Sequence, residues 1–187
     1  MKSYQRRHLR APYKGDVLYS DGVNFLKAKS LNISEGGMLI TELPSIPGSE
    51  IINLIISLPH IESLKNFSTL QLRTFNHEHF QSNAFTIQAK LVRRVELSND
   101  VSSVFNHSFG LEFVSLREIN KRKIEFYVKN FAANLITLQT LIDLYNYDDE
   151  TRRKARALAS VLGYKEDEKI ATLSAQVNQD YKSLQWS

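Results

Sequence analysis

At 187 residues, the chain has room for one full hydrophobic core with an appendage. Hydrophobic residues at 42% and charged residues at 24% exclude wholesale disorder and a fibrous repeat, and the absence of cysteine excludes disulfides, a thiolate nucleophile and any cysteine-ligated metal or cluster. The net charge of +4 suits an anionic partner, and it is unevenly spread: residues 1–14 hold Lys2, Arg6, Arg7, Arg10 and Lys14 and no acid.

That basic stretch predicts an arm over residues 1–12. After Pro12, Tyr13 to Tyr19 alternates weakly and runs into Ser20-Asp21-Gly22, a turn signal, before a second strand at Phe25 to Leu31. Gly36-Gly37 punctuates the chain ahead of a third strand, Met38 to Thr41, and Pro47-Gly48 introduces a β-branched fourth, Ile51 to Ile56. From Pro59 to Asn83 no clean period survives, which predicts an elaborated connection with its own short strand or helix. Period 2 returns in Phe85 to Val92 and in Ser108 to Val114. Six short strands with turns between them predict a closed or nearly closed antiparallel β-barrel over residues 13–116.

Beyond Ser115 the period changes. Ile124, Val128, Phe131, Leu135, Leu138, Ile142 and Tyr145 step by 4, 3, 4, 3, 4 and 3, a heptad seam. It predicts a long helix opening a C-terminal helical extension over 117–187, with the seam packed as core. Self-association of two chains through the 124–145 seam is the alternative, and a partner's helix a third. Asp148-Asp149 offers N-caps to a second helix, which Gly163 would end. Ile170, Leu173, Val177, Tyr181 and Leu184 mark the apolar face of a third helix. The fold class is therefore mainly β plus α.

The longest apolar run, Ile51 to Leu58, is interrupted by Asn53 and Ser57, so no membrane span is expected, and the opening residues lack the apolar core of a signal peptide. A cytoplasmic location is expected. No Ser-His-Asp order with a nucleophile elbow, no Gly-x-x-x-x-Gly-Lys loop and no paired catalytic acids stand out, so neither an enzyme nor a cofactor is expected. His77 and His79 would share a face on a strand, but no further ligand pattern joins them, and no metal site is expected. Generic nucleic-acid binding is disfavoured, because the aromatics do not interleave with Lys and Arg on any strand.

Two short constellations carry chemistry. Arg6 and Arg10 place two guanidinium groups four residues apart just before the first strand, and a guanidinium grips phosphate oxygens, pairs with guanine O6 and N7 or stacks on a purine. At Asn32-Ile33-Ser34-Glu35-Gly36-Gly37, the Asn amide and Ser hydroxyl point the same way on an extended backbone. The Asn carbonyl accepts from guanine N–H groups, and glycine lets a ligand approach the main chain. Taken singly, the first reads as a solvated basic arm and the second as an Asx-type turn. His8, inside the arm, reads as a solvated surface side chain or an aid at a phosphate.

In order and spacing these motifs resemble the PilZ family of bacterial cyclic di-GMP receptors. Arg6 and Arg10 match its R-x-x-x-R arm, and Asn32, Ser34 and Gly37 match [D/N]-x-S-x-x-G at a strand edge, while Phe109 to Val114 is similar to the family's closing strand. The resemblance covers roughly residues 4–130. It implies cyclic di-GMP as ligand, with Arg6, Arg10, Asn32, Ser34 and Gly37 lining the site and Gln5, Arg7 and Gly36 as accessory contacts. It also implies a ligand-ordered arm and a regulated protein partner, in control of motility, adhesion or biofilm. An adaptor of the same fold that has lost the nucleotide and works through protein contacts is the rival reading. Asn32 stands where Asp is commoner, keeping the hydrogen-bonding logic and dropping a charge.

Overall fold

The computed structural model describes residues 8–20, 22–75, 83–96 and 107–184, with the backbone alone at 83, 93–96 and 107. In chain order the strands are β1 (Ala11–Pro12), β2 (Asp16–Ser20), β3 (Phe25–Ser34), β4 (Gly37–Thr41), β5 (Ile51–Leu58), β6 (Asn83–Glu96) and β7 (His107–Ser115). The helices are α1 (Thr69–Arg73), α2 (Glu118–Asp143), α3 (Asp149–Val161) and α4 (Ile170–Leu184). The described residues form two compact units: one runs from the arm to Leu58 and takes in β6, β7 and α2 as far as Phe126. The other holds the chain from Pro59 through α1 and everything from Tyr127 on.

The first unit is a barrel. Its strands pair antiparallel in the order β3-β2-β5-β6-β7-β4, and β4 pairs back onto β3 to close the ring. Closure leaves no open sheet edge in that ring. Alternation fills the interior: Val17, Ile33, Ile40, Leu54, Ile56 and Ala89 are fully buried. The seventh strand, β1, lies on β3 beyond β2, so Ala11 and Pro12, expected in the arm, belong to the sheet. The predicted first strand is broken at Tyr13–Gly15, because the Tyr13 ring lies over Gly15, 2.5 Å from where a Cβ would stand. Its hydroxyl donates to the Ser57 carbonyl at 2.8 Å. Burial pushes the Tyr13 phenol above its ordinary value. Inside the barrel, the Tyr19 hydroxyl donates to the Ser45 carbonyl at 2.5 Å and accepts from the Ser45 N–H at 3.2 Å, pinning the β4–β5 loop.

In the second unit α1 occupies part of the aperiodic connection. Ser68 and Gln71 form its capping box. The Asn134 side chain, fully buried on α2, accepts from the Leu64 N–H at 2.8 Å and donates to the Glu62 carbonyl at 2.9 Å. Asp148 caps α3, accepting from the Thr151 N–H at 2.7 Å, and that bond holds its carboxyl below the usual range. At the other end Gly163 takes φ +84°; its N–H bonds to Ser160 and that of Tyr164 to Ala159, a Schellman closure. The heptad seam from Ile124 to Ile142 is buried within the chain, while Tyr145 falls beyond the end of α2.

Candidate functional site

Strand β3 would put Ser30, Asn32 and Ser34 on one face if it were regular. It is not regular. Ser30 pairs with Ile40 and Asn32 with Leu39, so Leu31 is the extra residue of a bulge. Across that bulge the alternation changes phase: Ala28, Ser30 and Ile33 are buried in the barrel, and Asn32, half-buried, and Ser34, itself buried, take the opposite side of the strand. Their cross-strand partners agree. Ser34 lies opposite Gly37, which lies opposite the exposed Glu112 of β7.

The neighbouring strand brings the arm's second arginine to the same face. Pro12 pairs with Asn32 and the buried Ala11 with Ile33, so the same register continued by one residue brings Arg10, half-buried, opposite Ser34. Arg10, Asn32, Ser34 and Gly37 thus converge on one outer face. Arg6, Arg7 and Gln5 lie outside the described residues.

Each member has a distinct local state. The Asn32 amide oxygen is buried and finds no hydrogen-bond partner among the described residues. Ser30 Oγ, Ser108 Oγ and Gln139 Oε1 share that state, and of the four atoms it is Asn32 Oδ1 that lies beside β1, whose Pro12 pairs with Asn32. The Ser34 hydroxyl donates to the Gly37 carbonyl at 3.0 Å, closing the Glu35-Gly36 turn. That turn is tied to β7 where the Phe113 N–H meets the Gly36 carbonyl at 3.0 Å. At Gly37 the place of a Cβ is taken by the Leu111 carbonyl oxygen, so this glycine is demanded by the β4–β7 pairing itself. At Gly36 a Cβ would stand 2.9 Å from the His8 ring, and His8 Nδ1 lies 3.7 Å from a Glu35 carboxylate oxygen.

Three features of this face were not legible in the pattern of residue types. The bulge at Leu31 leaves no mark in the apolar period, the seating of His8 on Gly36 is a contact across the fold, and Glu112 arrives from a strand about 80 residues away by cross-strand pairing. Elsewhere on the barrel, Asp16 pairs with Lys27 and Lys29 at 2.5 Å each, and those two ammonium groups hold its carboxyl below the usual range. That cluster is exposed, with two ammonium groups to one carboxylate. Among the described residues, no three His, Asp or Glu side chains gather as metal ligands. Also among them, no helix is long and apolar enough to cross a membrane.

A family model described as "PilZ domain" matches residues 4–130, more than half of the chain. Among solved structures, the chain is similar to the Bacillus subtilis inhibitor of motility MotI/DgrA, with TM-score 0.46 and 18% identity over 66% of this chain and 49% of that one. It is also similar to the PilZ domain of Escherichia coli YcgR with c-di-GMP, with TM-score 0.42 and 15% identity over 67% of this chain and 90% of that one. The chain thus spans about half the length of the inhibitor of motility. With TM-scores under 0.5, these likenesses carry no weight beside the family match. No curated protein matches the chain.

Proposed function

The chain belongs to the PilZ domain family, and from that premise we propose that it is a cytoplasmic receptor for cyclic di-GMP that binds its ligand without turning it over and relays the bound state to a protein partner. The observation that carries this reading is the buried, unpartnered amide oxygen of Asn32 on the same outer face as Arg10 and Ser34. A guanine N–H is the donor such an acceptor lacks. The guanidinium of Arg10 would take phosphate or the guanine edge, with Arg6 as the second half of the clamp. Nothing in this set requires a nucleophile or a general base.

On this reading the ligand offsets the positive charge of the arm and closes it onto the barrel face, which creates a new surface for the regulated partner. The cysteine-free composition suits a reducing cytoplasm.

Calorimetric titration with cyclic di-GMP tests the proposal. Micromolar or tighter binding is expected, abolished by Arg6→Ala or Arg10→Ala and weakened by salt. GMP and a short single-stranded oligonucleotide should bind far more weakly. An absence of heat at high ligand concentration would leave the adaptor without nucleotide as the correct account.

A further inference from the structure

His8 lies between the two arginines of the arm, and its ring is seated on Gly36 at the turn that joins Ser34 to Gly37. Gly36 has no side chain to resist this. A Cβ there would stand 2.9 Å from the ring, so a side chain at this position would make the His8 ring shift. The same ring presents Nδ1 at 3.7 Å from the Glu35 carboxylate, with the His8 side chain 42% and that of Glu35 26% exposed. Two residues further on is Arg10, and the turn beneath is anchored to β7 through Phe113. The contact therefore holds the arm at His8, two residues before Arg10.

From this geometry we propose that His8 is a positioning residue: with Glu35 it forms a proton-sensitive clasp that seats the arm on the Glu35-Gly36 turn and so couples cyclic di-GMP affinity to pH. The inference rests on the receptor reading and adds its regulation. Histidine is the side chain whose charge changes between pH 5 and 8. Protonated, it is attracted to Glu35; neutral, it keeps only the seat on Gly36. The charged residues that sequence and register bring near are Arg10, two positions along the arm, and Glu112, paired with Gly37 on β7. Arginine and glutamate are residue types that keep their charge across that range.

The clasp also tempers an adverse feature of the face. Glu35 and Glu112 are two carboxylates beside the residues proposed to meet an anionic ligand. A protonated His8 offsets one of them.

Cyclic di-GMP is titrated at about pH 6 and about pH 8, on either side of the histidine range, into the wild type, Glu35→Gln, His8→Gln and His8→Lys. For a half-exposed pair, affinity in the wild type should fall about 1.5- to 5-fold from the lower pH to the higher. Both glutamine variants should lose that difference, and His8→Lys, which carries a permanent cation, should bind at the low-pH strength throughout. A wild type without pH dependence, or a dependence that survives Glu35→Gln, overturns the proposal. If no variant binds at either pH, the receptor reading has failed, and the clasp is then judged without ligand. A nuclear Overhauser contact from the His8 ring to the Gly36 α protons, weaker at the higher pH and in Glu35→Gln, supports it; its absence at both pH values overturns it.

Discussion

The carbonyl oxygen of Leu111 occupies the space that a Cβ on Gly37 would need. The obstacle is backbone held in the β4–β7 ladder, so it cannot swing aside as a long side chain would. Gly37→Ala should therefore destabilise the barrel by about 1–3 kcal/mol in chemical denaturation, by forcing two paired strands apart. Gly48→Ala is the control, since nothing lies within 4 Å of its Cβ position. It should stay within about 0.5 kcal/mol of the wild type. If Gly37→Ala unfolded like the wild type and lost only ligand, the glycine would belong to the ligand and not to the ladder.

Asn134 is the corresponding fixed point of the helical unit. Its amide meets the Leu64 N–H and the Glu62 carbonyl, two groups of a segment that has no ladder of its own. Asn134→Leu keeps the volume and strands both partners, and should cost about 2–4 kcal/mol in urea unfolding. A loss under about 0.5 kcal/mol would mean that the segment re-pairs its groups elsewhere.

Glu42 is the non-glycine residue that takes positive φ among the described residues, at +56°. The left-handed region costs an L residue about 1–2 kcal/mol, and glycine returns part of that relief as backbone entropy. Glu42→Gly should raise the denaturation midpoint, by up to about 1 kcal/mol in stability, whereas Glu42→Val should lower it.

Tyr164 links pH to stability at the alkaline end. It is buried and donates to an Asp180 carboxylate oxygen at 2.6 Å; burial first, then that carboxylate, push its phenol above the ordinary value of 10.0. A group whose value is raised on folding contributes fully below its unfolded value and loses that contribution as pH rises past it. Thermal stability should therefore fall above about pH 10, and Tyr164→Phe should flatten part of the fall. Tyr13, also raised by burial, accounts for a further part. Equal slopes in wild type and variant would show that the Tyr164 phenol is not retained on folding.

The strands and long helices were legible because period 2 and heptad spacing follow directly from the side on which each residue must be buried. Gly163 was legible because a left-handed cap demands that residue type. What escaped the sequence depended on contacts between distant segments. The break at Tyr13–Gly15 arises from a ring folding over a glycine, and the short element expected between Pro59 and Asn83 is the helix α1, whose length gives no period to tell helix from strand. At the candidate site the residue types of Arg10, Asn32 and Ser34 announced hydrogen-bonding capacity. That Asn32 and Ser34 share a face followed from period 2; which side of the barrel that face takes is set by a bulge at Leu31 that no residue type there announces. The glycine motif was visible, but its demands divide between β7 at Gly37 and His8 at Gly36.

Asn32 offers the sharpest separation of function from framework. Its amide oxygen is buried and has no partner among the described residues, and a buried acceptor without a partner generally costs about 1–3 kcal/mol. Asn32→Ala removes that cost together with some packing, and folding stability should be unchanged or higher. Cyclic di-GMP binding should weaken about tenfold, the worth of one hydrogen bond of roughly 1.4 kcal/mol. Asn32→Asp keeps an acceptor and adds a charge that Arg10 can meet, so it should retain binding. The decisive pattern is opposite movement of the two measurements in Asn32→Ala. If stability and affinity fell together, the side chain would be part of the framework of β3, and the orphaned oxygen would not be the ligand's acceptor.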